Sequence, residues 1–166
     1  MSTLPDDPPR PREATDFPPT GPNSLASIGE RGVARTIDIM LELIPLAILV
    51  SSYLRVEGDQ VKLDNVPFWL SFVTIGVAVV YETLFIAWRG QTIGKMLLRV
   101  RVARLVGGTR PDPSQAGLRA LVPGSAWAIP IIGFGLYLFV FLSAIGNPLR
   151  RGIHDRAAGS VVVRTR

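Results

Sequence analysis

Arg35, Asp38 and Glu42 stand at i, i+3 and i+7 in "ARTIDIMLELIPLAILV", a spacing that puts all three on one face of a helix. Their neighbours are apolar. A charged side chain at bilayer depth costs at least roughly 2.5–3.5 kcal/mol on insertion scales, so such groups face protein or water and find partners. Arg35 and Asp38 are spaced to pair directly. Glu82, inside the second apolar run, is the natural companion of Glu42. His154 and Asp155 follow the last apolar run and should return to the same level, where Arg35 can bridge Asp38 and Asp155. Two chemistries fit. In one, Arg35, Asp38 and Asp155 form a buried clamp that fixes helix packing. In the other, Asp38, Glu42 and Glu82 form a proton or cation site. An unpaired buried carboxylate can carry a proton, whereas a paired one stays ionised.

Other chemistries find little support. The chain has no cysteine, and His154 is its single histidine, so no zinc set can be assembled and no metal is expected. "GQTIGK" (residues 90–95) lacks the P-loop spacing. Gly90 and Gly94 are instead spaced to let backbones approach closely, with Gln91 and Lys95 beside them. There is no nucleophile–base pattern and no dinucleotide fingerprint, so neither an enzyme nor a cofactor is expected. The formal charge is +5, yet the basic residues flank apolar runs, which points to a membrane surface with anionic lipids rather than to nucleic acid.

The elements that must position these residues follow from the patterning of the 166-residue chain. Residues 1–29 are proline-rich, with few large apolar side chains. They read as a disordered cytoplasmic tail, and they lack the basic and apolar regions of a signal peptide. Residues 30–166 read as one transmembrane domain. A first span is expected over about 36–54, with Pro45 kinking it, and a second over 67–88, with Pro67 at its first turn and Trp69 and Trp88 bracketing it. "RVEGDQVKLDNVP" between them reads as an exposed polar loop. Ile93, Leu97 and Val100 share a face with Lys95 and Arg99 elsewhere, which predicts a short amphipathic helix on the membrane surface. "RVRVARL" alternates with period two and can pair with the β-branched "GSVVVRTR".

Residues 116–147 are too many for one span and few for two. Positive charge collects at Arg31/Arg35, at Arg89–Arg119 and at Arg150–Arg166, and all three groups should be cytoplasmic. The run should therefore be a hairpin, with a short or re-entrant leg over 116–128 and a longer helix over 131–146, interrupted at Pro123-Gly124 and Pro130. A single tilted span is the alternative. The fold class is an all-α membrane protein, a polytopic helical bundle with two full spans, this hairpin, the surface helix and a small β pair.

Arg35 at the mouth of the first span, Asp38 just inside it and Asp155 in "NPLRRGIHDRAAGSVVV" resemble the Arg-Asp-Asp signature of the RDD family of membrane proteins. "GQTIGKMLLRVRV" resembles that family's Gly-Gln-Thr-x-Gly-Lys segment. The resemblance covers about Glu30 to Val163, with Ser160 where threonine is commoner. It implies a multi-pass protein of the prokaryotic cytoplasmic membrane with both termini cytoplasmic. Transport has been proposed for the family, and some members are linked to sodium–proton exchange. A transporter or transporter subunit for protons or small cations such as sodium is therefore one expectation. The other is an accessory subunit or assembly factor of a larger membrane complex. The partners expected are anionic lipids and either further copies of the chain or that larger complex.

Overall fold

The computed structural model describes residues 11–63, 67–129 and 131–166. The first third of the expected tail (1–10) and the interruption at Pro130 lie outside the described residues. Helix α1 (Ile28–Ser51) starts eight residues before the expected span. Its start is set by a capping box: Ser27 Oγ accepts from the Glu30 backbone N–H, and the Glu30 carboxylate accepts from the Ser27 N–H. The helix runs on through Pro45. Helix α2 (Trp69–Arg89) ends at Gly90, whose φ of +71° supplies the left-handed cap that glycine tolerates best.

Strands β1 (Leu54–Glu57) and β2 (Gln60–Leu63) form an antiparallel hairpin where a loop was expected. Leu54-Arg-Val-Glu57 and Gln60-Val-Lys-Leu63 each alternate apolar and polar residues about the Gly58-Asp59 turn, the pattern of a hairpin, although the whole of β1 is exposed. Helix α3 (Ile93–Leu97) leads into β3 (Val100–Arg104). Helices α4 (Pro113–Trp127) and α5 (Gly133–Leu142) follow, then α6 (Ile153–Ala157) and β4 (Ser160–Arg164). Strands β3 and β4 pair antiparallel with Val102 opposite Val162, as the sequence pattern suggested.

Helix α2 packs along α4, and α4 packs on α5, while α1 rests chiefly on α3 and touches α2 little. The hairpin thus forms, but with its legs reversed in length. The expected short leg is the 15-residue α4, and the longer helix expected over 131–146 is the 10-residue α5. Ten residues reach about 15 Å, half a bilayer core. The aromatic ladder Trp127–Tyr137–Phe141 ties the two legs together.

Among the described residues, α2 is the one helix long and apolar enough to cross a membrane. Only 17% of its apolar window is buried, and Trp69 and Trp88 at its two ends are exposed, as lipid-facing positions require. Helix α1 is long enough to span at about 36 Å. However, Arg35, Asp38 and Glu42 leave only Leu43–Ser51 free of charge. Two full spans are therefore reduced to one clear span and a charged companion helix.

Beneath the helices lies a compact layer built from α3, α6 and the β3–β4 pair. Its core is Ala26, Ile86, Val100, Val102, Ala116 and Val162. The chain ahead of α1 belongs to this layer. Ser24, Leu25 and Ala26 are buried, and Ala26 N–H donates to the Val162 carbonyl at 3.0 Å. The tail expected over 1–29 is shortened accordingly at its C-terminal end.

Candidate functional site

The ionisable residues converge where the helices meet this layer. Asp38 and Asp155 are fully buried, and Glu82, Lys95 and Arg119 nearly so. They form a chain of alternating sign. Lys95 Nζ lies 3.8 Å from Asp38 and 3.7 Å from Glu82. Arg119 pairs with Glu82 and, through Nε at 3.0 Å, with Asp155. Arg31 closes the far end on Asp155. At Glu82 the chain branches. Arg35 Nη1 lies 3.9 Å from Glu82 and 3.0 Å from Glu42, and Arg35 Nε donates to the Tyr137 hydroxyl at 2.7 Å. Four carboxylates thus face four cations.

Arg35 therefore does not take the expected role of bridging Asp38 and Asp155. Its partner on α1 is Glu42, two turns away. Asp38 is claimed by the segment after α2. Its carboxylate accepts from Thr92 Oγ1 at 2.5 Å, from the Gly94 N–H at 2.8 Å and from the Tyr81 hydroxyl at 2.9 Å. Gly94 makes this approach possible: a Cβ there would sit 2.1 Å from the Ala34 carbonyl oxygen. Gly90 and Gly94, read together as a packing pair, have separate duties, one as helix cap and one as contact. Gln91 ties the segment to β3 by donating to the Val100 carbonyl at 2.9 Å. Ile93 and Leu97 are exposed on α3 and Lys95 turns inward, but Val100, expected on the same apolar face, is buried at the start of β3.

Burial pulls the Lys95 ammonium down to about 8, although Glu82 and Asp38 oppose the shift. Burial would raise the Asp155 carboxyl, but the positive charge around it, with Arg31 and Arg119 hydrogen-bonded to it, holds it far below the usual carboxylate range. His154 is 1% exposed, stacks on Phe141 at 4.7 Å and has neither ring nitrogen hydrogen-bonded. Burial lowers it to about 4, against the pull of Asp155 Oδ1 at 3.5 Å and with Arg119 and Arg31 reinforcing the fall.

A pH dependence follows. A histidine with a depressed folded pKa adds stability that is complete above its unfolded value near 6.5 and is lost as pH falls toward 4. The loss is expected to reach roughly 3 kcal/mol. Thermal midpoints in detergent between pH 7 and pH 4 should fall for the native chain and stay flatter for His154→Gln. Parallel curves would show that His154 does not titrate in this range.

The sequence singled out Arg35, Asp38, Glu42, Glu82, Lys95, His154 and Asp155, and all seven lie in or against this network. It missed Arg31, Tyr81, Thr92, Arg119 and Tyr137. Arg119 was findable, because it is the one charged residue in the whole apolar run 116–147.

A cavity of about 250 Å³ opens beside the branch, between α1, α2, α4 and α5. Its walls include Leu46, Val79, Pro123, Trp127 and Phe134, and among the described residues its charged lining is Arg35, Glu42 and Glu82. Asp38 does not line it. The expected Asp38–Glu42–Glu82 site is thus divided into a sealed carboxylate on the α3 side and two carboxylates on the cavity.

No curated protein and no solved structure matches the chain. A family model does. The RDD family model matches residues 25–159, a range that takes in the signature arginine and both aspartates, the Gly-Gln-Thr-x-Gly-Lys segment and the whole charge network. The chain is a membrane protein that belongs to the RDD family.

Proposed function

We propose that this protein is a transporter, or a transporter subunit, for protons or small cations such as sodium, and not an enzyme. It would work in a prokaryotic cytoplasmic membrane, crossing it more than once with both termini on the cytoplasmic side. The observation that carries the reading is the position of Glu42 and Glu82 on one cavity with Arg35 shared between them. Placing a proton or cation on Glu42 releases Arg35 to Glu82, so occupancy is coupled to a rearrangement of charge between α1 and α2. Intramembrane carboxylates of this kind mark ion pathways.

Ion flux into proteoliposomes with a pH-sensitive dye, under proton and sodium gradients, tests the reading. The native chain should conduct, and Glu42→Gln should lower the flux at least tenfold. A native chain that leaves both gradients intact overturns it.

One further observation favours a second reading. Asp38, Asp155, Lys95 and Arg119 are sealed in mutual pairs, as a static clamp would be, and the outward faces of α1 and α2 expose Met40, Ile44, Ile48, Phe72 and Val80. This suits an accessory subunit or assembly factor packed in a larger membrane complex. Mild-detergent extraction and native mass spectrometry decide it: a stoichiometric larger assembly supports the accessory role, and a chain alone or only with its own copies opposes it. In either role the exposed Arg89, Arg99 and Arg104 would draw anionic lipids, at roughly 1 kcal/mol per residue.

A further inference from the structure

The cavity between α1, α2, α4 and α5 carries more chemistry than a bare proton or sodium ion needs. A small hydrated ion is held by several oxygens at short range. Here two carboxylates stand at one end of a space otherwise walled by apolar and aromatic side chains. Such a space, with a few polar groups placed together, is the usual form of a site for an organic molecule.

The charge on the lining selects the ligand's sign. Glu42 and Glu82 outnumber Arg35, so the cavity-facing groups carry one excess negative charge. The compensating cations do not line the space. Lys95 is held between Asp38 and Glu82, and Arg119 between Glu82 and Asp155. Among the described residues Glu82 thus has three cationic neighbours, whereas Glu42 has Arg35 alone, and Arg35 is divided between Glu42, Glu82 and the Tyr137 hydroxyl. Glu42 is therefore the least neutralised carboxylate of the network, and it is the one on the α1 wall. Trp127, Phe134 and Tyr137 add aromatic faces, which attract an alkylammonium group through the ring quadrupole. Helices α1 and α2 touch little, and Leu43 on the cavity wall is itself exposed, so a ligand soluble in the bilayer can approach from that side.

We infer that this cavity binds a lipophilic organic monocation, with its ammonium on Glu42 and its apolar body between Leu46, Val79, Pro123, Trp127 and Phe134. The inference rests on the reading of Glu42 and Glu82 as a cation site and names the class of cation.

A matched pair of probes tests it at equilibrium. Phenyltrimethylammonium and tert-butylbenzene have nearly the same shape and differ by one charge. Binding to the purified full-length chain in detergent is read by calorimetry. The cation should bind at least tenfold more tightly than the hydrocarbon. Glu42→Gln should reduce that preference to near parity. Leu46→Trp, which fills the space away from the charges, should abolish binding of both. Equal binding of the two probes, a preference that survives Glu42→Gln, or binding that survives Leu46→Trp overturns the inference, the first outcome marking the cavity as a niche for a lipid acyl chain. Absence of any binding overturns it too. Since no gradient or flux enters the measurement, these failures stand apart from those of the transport reading. A chain that moves protons yet ignores the organic cation keeps the transport reading and loses this one.

Discussion

Arg119→Met is expected to cost the fold about 3–5 kcal/mol, the usual loss when one partner of a buried ion pair is removed. Arg119 is 3% exposed and spans two carboxylates on two different elements, Glu82 on α2 and Asp155 on α6. Methionine fills the volume but leaves both acids facing each other's charge. Glu82 retains Lys95 at 3.7 Å and Arg35 at 3.9 Å, and Asp155 retains Arg31, so the loss should stop short of complete unfolding. Arg119→Lys should fall between, because a single ammonium cannot reach two acids with the fixed fork of a guanidinium. The pair Arg119→Met with Glu82→Gln should recover part of the loss, since it removes an uncompensated charge along with its partner. The thermal midpoint in detergent and the amount of protein accumulating in the membrane report both effects. A midpoint for Arg119→Met within about 0.5 kcal/mol of native, the range of an ordinary surface change, would mean that this ion pair does not hold α2, α4 and α6 together.

The network shows what a one-dimensional reading captures. Asp38, Glu42 and Glu82 stood out because an acid in an apolar run must have a reason to be there. Their partners did not follow from spacing. The i, i+3 rule proposes local neighbours, and it offered Arg35 to Asp38. Tertiary packing overrode it, because Thr92, the Gly94 N–H and Lys95 reach Asp38 from a segment more than fifty residues away. Arg35, released from Asp38, turned toward Glu42 and Glu82. Arg119 obeys the same rule as Asp38, because a charge inside an apolar run needs a buried partner. The elements show a similar division. The β3–β4 pair was legible because β3 alternates with period two and β4 is a run of β-branched valines. The start of α1 was written in Ser27-Ile-Gly-Glu30, a capping box that precedes the apolar stretch by two turns. The β1–β2 hairpin was legible as well, in two alternating runs about Gly58-Asp59, but its polar content reads equally as an exposed loop.

This division also bears on why an arginine and two acids occupy α1 at all. The charged face of that helix meets Thr92, Gly94 and Lys95 of the α3 segment, Glu82 of α2 and Tyr137 of α5. Glu30 fixes its first turn to β4 by a double contact with Arg164 at 2.8 and 3.0 Å. The triplet therefore meets the protein's own polar layer. The apolar residues that follow it, from Leu43 to Ser51, are the part of α1 that resembles an ordinary membrane helix.

The α1–α3 contact supplies the second large effect. Gly94→Ala adds one methyl group and is expected to destabilise the chain by about 3 kcal/mol, at the upper end of overpacking effects. The reason is geometric. The new Cβ would lie 2.1 Å from the Ala34 carbonyl oxygen and 3.0 Å from the Asp38 carboxylate carbon. The first neighbour is backbone in the middle of a helix and cannot swing aside. Relief requires α3 to move away from α1, which would break the Gly94 N–H bond to Asp38 and draw Thr92 and Lys95 off the same carboxylate. Asp38 would then be buried with the Tyr81 hydroxyl as its chief remaining donor, an expensive state for an ionised acid. Two variants separate the steric cause from a general intolerance of this segment. Gly90→Ala meets the Val102 carbonyl at 3.2 Å and carries the penalty of a positive φ, but it leaves Asp38 untouched. Its loss should be about 1 kcal/mol, the usual scale for a glycine at a left-handed cap. Gly94→Ala combined with Asp38→Asn should cost less than the sum of the single changes, because the first has already dismantled what the second removes. If the two losses simply add, the methyl group acts elsewhere than on the Asp38 cradle.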